Sequence, residues 1–144
     1  MKISFAVILC LFLFSCSEDH QHSYKSFEEL SKANLRLKGW FPNIVGPDCY
    51  NLKEIHTVGD IESYGRFSYE NESRIDSVLA DPTVYHRISV DTFRIFLERF
   101  KDLRQPNWFL EKEKFQDNIF YKKESMYFIQ SKEDKTLYFA YTLK

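Results

Sequence analysis

Apolar and polar residues change rhythm several times along this chain, and each change marks an element. Residues 3–14 (ISFAVILCLFLF) are apolar apart from Ser4 and lie behind Lys2. Polar sequence follows from Ser17 to Ser23 with no periodicity, which reads as a flexible tether. Ser26-Phe27-Glu28-Glu29 then has the form of a capping box, in which the serine hydroxyl accepts from the glutamate amide. Phe27, Leu30, Ala33 or Asn34, and Leu37 fall on one helical face behind it, and Gly39 closes the run. Residues 39–49 (GWFPNIVGPDC) hold two of the four glycines and two of the four prolines, a density that breaks regular structure.

Period-two alternation takes over at Leu52, Glu54 and His56, and again in the aromatic run Tyr64–Tyr69, predicting two strands joined by a loop. Ile75, Val78 and Leu79 line one side of a short helix from Asn71, stopped by Asp81-Pro82. Thr83–Val90 is β-branched enough to predict a strand. Asp91 caps a helix in which Phe93, Phe96, Leu97 and Phe100 recur at helical spacing, with Val90 and Ile95 placed for a hydrophobic staple. After Pro106 come a short strand at Asn118–Lys122 and a hairpin. Its arms are Met126–Ser131 and Thr136–Leu143, and Lys132-Glu133-Asp134-Lys135 is its loop. Apolar groups on both sides of the hairpin arms suit strands covered on both faces. The expected fold class is α+β, a small antiparallel sheet of about five strands with about three helices packed mainly on one face.

Composition sharpens this picture in two ways. Aromatic residues make up 17% of the chain, which argues for a filled core and against disorder. The 20 basic and 21 acidic side chains nearly cancel, and no basic block occurs, so nucleic acid is not an expected partner.

The first apolar run is too short to span a bilayer, which takes about 20 apolar residues. With one early lysine and a small residue at Ser15, it has the form of an export signal. Leu13-Phe14-Ser15-Cys16 resembles the lipobox of bacterial lipoproteins. That resemblance implies removal of residues 1–15, lipidation of Cys16 with acyl chains such as palmitate, and a membrane held as partner through that lipid. Several chains are needed for a stable anchor, because one alone binds only marginally. An ordinary secretory signal with an incidental Cys16 is the plainer alternative. Ser17-Glu18-Asp19 resembles an acidic tag that sends some lipoproteins to the outer face of the outer membrane, and a solvated linker explains it equally well. The expected organisation is a signal at 1–15, a lipidated cysteine and tether at 16–25, and one α+β domain at 26–144. The expected location is the cell envelope, most directly the outer membrane, with the leaflet open.

Candidate chemistry is sparse. Cys10 leaves with the signal and Cys16 is consumed by lipid, so Cys49 has no internal disulfide partner. Burial as a small hydrophobe is its plain reading, and a reactive thiol is the functional one. His20 and His22 fall in the tether, and His56 and His86 in strands. No HExxH, CxxC, GxSxG, P-loop or GxGxxG pattern occurs, so no metal, no cofactor and no catalytic residue is expected.

Gly39-Trp40-Phe41-Pro42, Asn51-Leu52-Lys53-Glu54-Ile55-His56 and Gly65-Arg66-Phe67-Ser68-Tyr69 together resemble the YbbD head-domain family of small bacterial envelope proteins. The family pattern is a Gly-Trp-Leu-Pro-like turn, an Asn-Ile-x-Glu-x-His strand and a Gly-x-Phe-x-Phe strand. This chain departs from it at Asp48-Cys49-Tyr50 and at Thr57-Val58. The resemblance implies a compact α+β unit attached to the envelope and brings no catalytic residues with it. Trp40, Phe41, Pro42 and His56 are its signature positions, either as a core anchor or as a partner-binding loop. Three functional expectations result. The first is a non-enzymatic binding or assembly module of the envelope with a protein partner. The second is an immunity or inhibitor lipoprotein that neutralises a toxin or lytic enzyme. The third is a thiol-dependent enzyme using Cys49.

Overall fold

Strands dominate the computed structural model, which describes residues 19–33, 39–59 and 62–143. The signal at 1–15, Cys16, Ser17, Glu18 and the helix positions Asn34 and Leu37 lie outside the described residues. Among the described residues, seven strands form one antiparallel sheet. They are β1 (His20–Ser26), β2 (Cys49–His56), β3 (Glu62–Tyr69), β4 (His86–Ile88), β5 (Ile119–Lys123), β6 (Met126–Ser131) and β7 (Thr136–Thr142). Their order across the sheet is β1-β2-β3-β7-β6-β5-β4. Three α-helices, α1 (Phe27–Lys32), α2 (Glu72–Leu79) and α3 (Val90–Leu97), and a 3-10 helix at Lys112–Asp117 complete the described elements.

The sheet is thus wider than the expected five strands, and the helices do not share one face. On the first face α1, the 39–49 loop and α2 cover Leu52, Phe67, Tyr69, Phe128, Leu137 and Phe139. On the second, α3 and the 100–117 segment cover Tyr64, Phe120, Tyr127, Ile129, Tyr138 and Ala140. Successive residues of β6 and β7 alternate between the two cores, as strand geometry requires. Their two-sided apolar character was legible as a covered strand pair, and the register Phe128↔Phe139 and Ile129↔Tyr138 gives that pair its place.

Sequence signals for the local elements translate directly. Ser26 Oγ accepts from Glu29 N at 3.3 Å, while the Glu29 carboxylate accepts from Lys25 N at 2.8 Å, one residue before the cap. Asn71 caps α2 through Arg74 N. Three expectations fail. The 20–25 segment is not a tether, because it pairs with β2 along its length, from His20↔His56 to Ser26↔Tyr50. The Thr83–Val90 strand shrinks to three residues, because the Asp81 carboxylate accepts from both the amide and the hydroxyl of Thr83 and bends the chain there. Ser89 rather than Asp91 caps α3, accepting from Thr92 N, and Ile95 is 60% exposed, so it staples nothing to Val90.

An irregularity within β2 changes which of its positions, odd or even, face inward. The β2–β3 register runs Cys49↔Tyr69 and Tyr50↔Ser68, then resumes at Lys53↔Arg66, so β2 has one extra residue between Tyr50 and Lys53. Asn51 takes up the turn in the left-handed region at φ 51°, where asparagine is tolerated better than most residues. Past this bulge, even-numbered residues of β2 face the first core, where odd-numbered Cys49 faced it before. Glu54 and His56 consequently point to the side occupied by Trp40.

Candidate functional site

Register assembles a polar cluster from four segments at one end of the first face. His20 lies opposite His56 and His22 opposite Glu54 on β1–β2, while Glu54 lies opposite Gly65 and His56 opposite Ser63 on β2–β3. Directly opposed residues of antiparallel strands present their side chains on the same face. The two expected tether histidines and the expected strand histidine therefore meet.

Glu54 is at the centre and is 0% exposed. His56 Nδ1 lies 2.9 Å from Glu54 Oε1 and 3.0 Å from Oε2, and Ser63 Oγ donates to Oε1 at 2.9 Å. An ionised carboxylate only accepts, so the Nδ1 proton belongs to His56, and in the neutral ring Nε2 holds the lone pair. Buried charge is costly unless hydrogen bonds answer it, and here two neighbouring strands supply them. The charge reaches beyond the cluster: burial, and then the Glu54 carboxylate, push the Tyr24 phenol above its usual range.

Trp40 roofs the cluster. Its ring centroid lies 4.4 Å from that of His56 and 4.6 Å from that of His22, the latter pair stacked at 16°. His20 and His22 lie 5.4 Å and 5.7 Å from His56. Phe41 and Pro42 beside it are buried, with Phe41 edge-on to Tyr24 and to Phe139. The 40–42 signature is therefore largely interior, and Trp40, half-buried against the first core, meets the imidazoles of His22 and His56. Gly65 keeps the floor of this region open to the core. A Cβ there would fall 2.0 Å from Phe139 Cζ, so the phenylalanine ring lies across the glycine.

Donor atoms of His22, Glu54 and His56 all lie within 4.8 Å of one another. Scanning for motifs misses this set, because its members come from two strands and the register that joins them is not written at fixed spacing. The alternation Glu54-x-His56 against His20-x-His22 is the available signal, and the polar, aperiodic look of residues 17–23 hides it.

Cys49 takes no part. It begins β2 and His56 ends it, so they are separated by about 20 Å at strand rise. Its sulfur accepts from Gly46 N at 3.4 Å and Arg74 Nη2 at 3.3 Å, and Arg74 pairs with Asp48 at 2.7 Å. Burial, with Asp48 adding to it, pushes the thiol above its ordinary range despite the Gly46 and Arg74 contacts. A nucleophilic cysteine needs the opposite shift. His86 lies exposed on β4, at the far edge of the sheet.

A second buried carboxylate, Glu62, sits on β3 and meets the other side of the molecule. Its Oε1 accepts from Lys101 N at 3.0 Å, and its Oε2 from Asp102 N at 3.0 Å and Leu103 N at 2.8 Å. Three successive backbone amides thereby hold the 101–103 loop against the sheet.

No helix among the described residues is long and apolar enough to cross a membrane. Comparison with curated proteins and with solved structures finds no match. Residues 18–68, the stretch that supplies every member of the Glu54 cluster, match the family model of the YbbD head domain, a bacterial envelope family.

Proposed function

We propose that this protein is a bacterial envelope lipoprotein, cut before Cys16 and acylated there, whose domain serves as a non-enzymatic binding module at the membrane surface. The observation that supports it most is the head-domain match itself, which opens at residue 18, directly behind the lipobox-like cysteine. An envelope family and an export signal that resembles a lipobox agree on the compartment, and the outer membrane is the destination that the Ser17-Glu18-Asp19 sequence favours.

The anchoring geometry rests on β1. Its first residue, His20, is four residues after Cys16, a distance the chain can span by no more than ~14 Å. Acyl chains on Cys16 therefore hold the β1 edge, and the histidines on it, close to the headgroups. Support for a binding role comes from the contrast between the imidazole–carboxylate–indole cluster and the buried, weakly acidic Cys49.

Labelled palmitate supplied to cells is expected to enter the wild-type protein, and Cys16→Ala is expected to lose both the label and membrane fractionation. An unlabelled wild type, or a Cys16→Ala protein that still fractionates with membranes, would overturn the anchor. Crosslinking in intact cells tests the module: a specific envelope partner supports it, and measured turnover of a substrate sinks it.

A further inference from the structure

We infer that His22, Glu54 and His56 form a binding site for a divalent first-row transition ion of the zinc class. The inference deepens the binding role proposed above by naming a ligand, and it stands on the cluster geometry whether or not Cys16 is lipidated.

Three features of the cluster point to a metal. The first is donor chemistry: two imidazoles and one carboxylate suit zinc-class ions, whereas calcium and magnesium take sets of oxygens. The second is spacing. Bonds of about 2.0–2.2 Å to a tetrahedral ion put neighbouring donor atoms roughly 3.4 Å apart. His56 Nδ1 and the Glu54 oxygens are already at 2.9–3.0 Å across the Nδ1 proton, which the ion would displace as the ring passes to its Nε2–H tautomer. The whole set lies within 4.8 Å, so closure takes an adjustment of up to about 1.4 Å, most of it at half-buried His22. The third is support around the donors. Ser63 Oγ fixes one Glu54 oxygen, the β1–β2 register fixes His22 against Glu54, and Trp40 packs on both imidazoles and limits water. Partners of this kind orient ligands and raise affinity.

Burial separates this site from surface chelation. Glu54 and His56 are 0% and 2% exposed, so two of the three donors are held by the fold. Exposed His20, two residues from His22 on the same strand face, offers the competing arrangement, a chelating pair at the sheet edge. With three protein donors, a fourth coordination position is left for water or a partner's side chain, the arrangement of an exchangeable site rather than a closed structural one.

Calorimetric titration of the purified full-length protein in detergent with ZnCl2 tests the site, with the visible spectrum of the Co2+ form as a second readout. One ion per chain is expected, with a Co2+ spectrum of low coordination number. His22→Ala and His56→Asn are expected to weaken binding by about 100-fold or more, and Ser63→Ala by about 10-fold. His20→Ala and His86→Ala are expected to leave affinity within about threefold, since neither residue is among the three donors. Absence of saturable Zn2+ binding overturns the proposal. So does binding that His20→Ala removes along with His22→Ala, which is the signature of edge chelation. That pair lies on the edge strand, so the distinction holds even where a substitution at buried His56 prevents folding. A palmitate-labelling failure would leave these titrations unchanged, and a titration failure would leave the labelling unchanged, so the two readings fall separately.

Discussion

Glu54 and Glu62 lie on adjacent strands of one sheet, both fully buried, yet their surroundings differ in kind. Glu62, facing the second core, is answered by the backbone amides of residues 101–103. Backbone donors cannot change protonation and cannot move without moving the chain, so this carboxylate acts as a structural clamp. Glu54, facing the first core, is answered by an imidazole and a hydroxyl. Those donors can rotate, release a proton or turn to a cation. Burial alone therefore does not mark a functional acid. What distinguishes one is whether its partners are themselves able to exchange.

The comparison is broken most severely at the clamp. Glu62→Ala leaves three amides of the 101–103 loop without their acceptor and is expected to cost about 4 kcal/mol in urea unfolding. A loss under about 1 kcal/mol would show that water replaces the carboxylate and that Glu62 is no clamp. Gly65→Ala, next to Glu54 in register, is expected to cost about 2–3 kcal/mol, because the new methyl group meets the ring of Phe139. An unchanged midpoint would mean that the ring moves freely. Glu54→Gln keeps an acceptor for Ser63 and should cost only about 1–2 kcal/mol of stability, against a much larger loss at Glu62→Ala. Equal losses would erase the distinction between the two acids.

The smallest effect comes from outside both sites. Lys132 first, and then Gln130, hold the Asp76 carboxyl below the usual carboxylate range. A carboxyl with a depressed folded value stabilises above its unfolded value near pH 4, and loses that contribution as pH falls through the lower folded value. Asp76 and Lys132 are each 40–45% exposed, so solvent screening limits the gain to less than about 1 kcal/mol. Asp76→Asn is expected to flatten the acid limb of the stability curve below pH 4 by that amount. A larger effect would point to an uncounted partner of Asp76.

Legibility tracked how local each signal was. The Ser26–Glu29 cap, the Asn71-led helix and the 126–142 hairpin each close within a few residues, and the sequence pattern located them. β1 did not read as a strand because its inward side carries His20, His22 and Tyr24, and polar inward residues resemble a linker until Glu54 and Trp40 are known to receive them. Residues 83–85 did read as strand, because β-branched propensity gives no warning of the Asp81 turn. The histidine cluster was invisible for a related reason: it rests on pairing between segments about thirty residues apart, and on a register that shifts within one of them.

That shift, at Asn51, has a consequence for how the chain tolerates change in length. It takes one position out of the alternation: residues of β2 on either side of it keep the faces set by their β3 partners, although the inward parity changes from odd to even. Asn51 has no partner on β3, so losing it would let Leu52 pair with Phe67 in a regular ladder, while Glu54 stayed opposite Gly65 and His56 opposite Ser63 on the side they hold now. Losing a residue between Leu52 and His56, which no bulge absorbs, would instead behave like a frameshift confined to the end of that strand. Relatives that keep the glutamate and histidine are therefore expected to keep the residue count between them and the bulge as well.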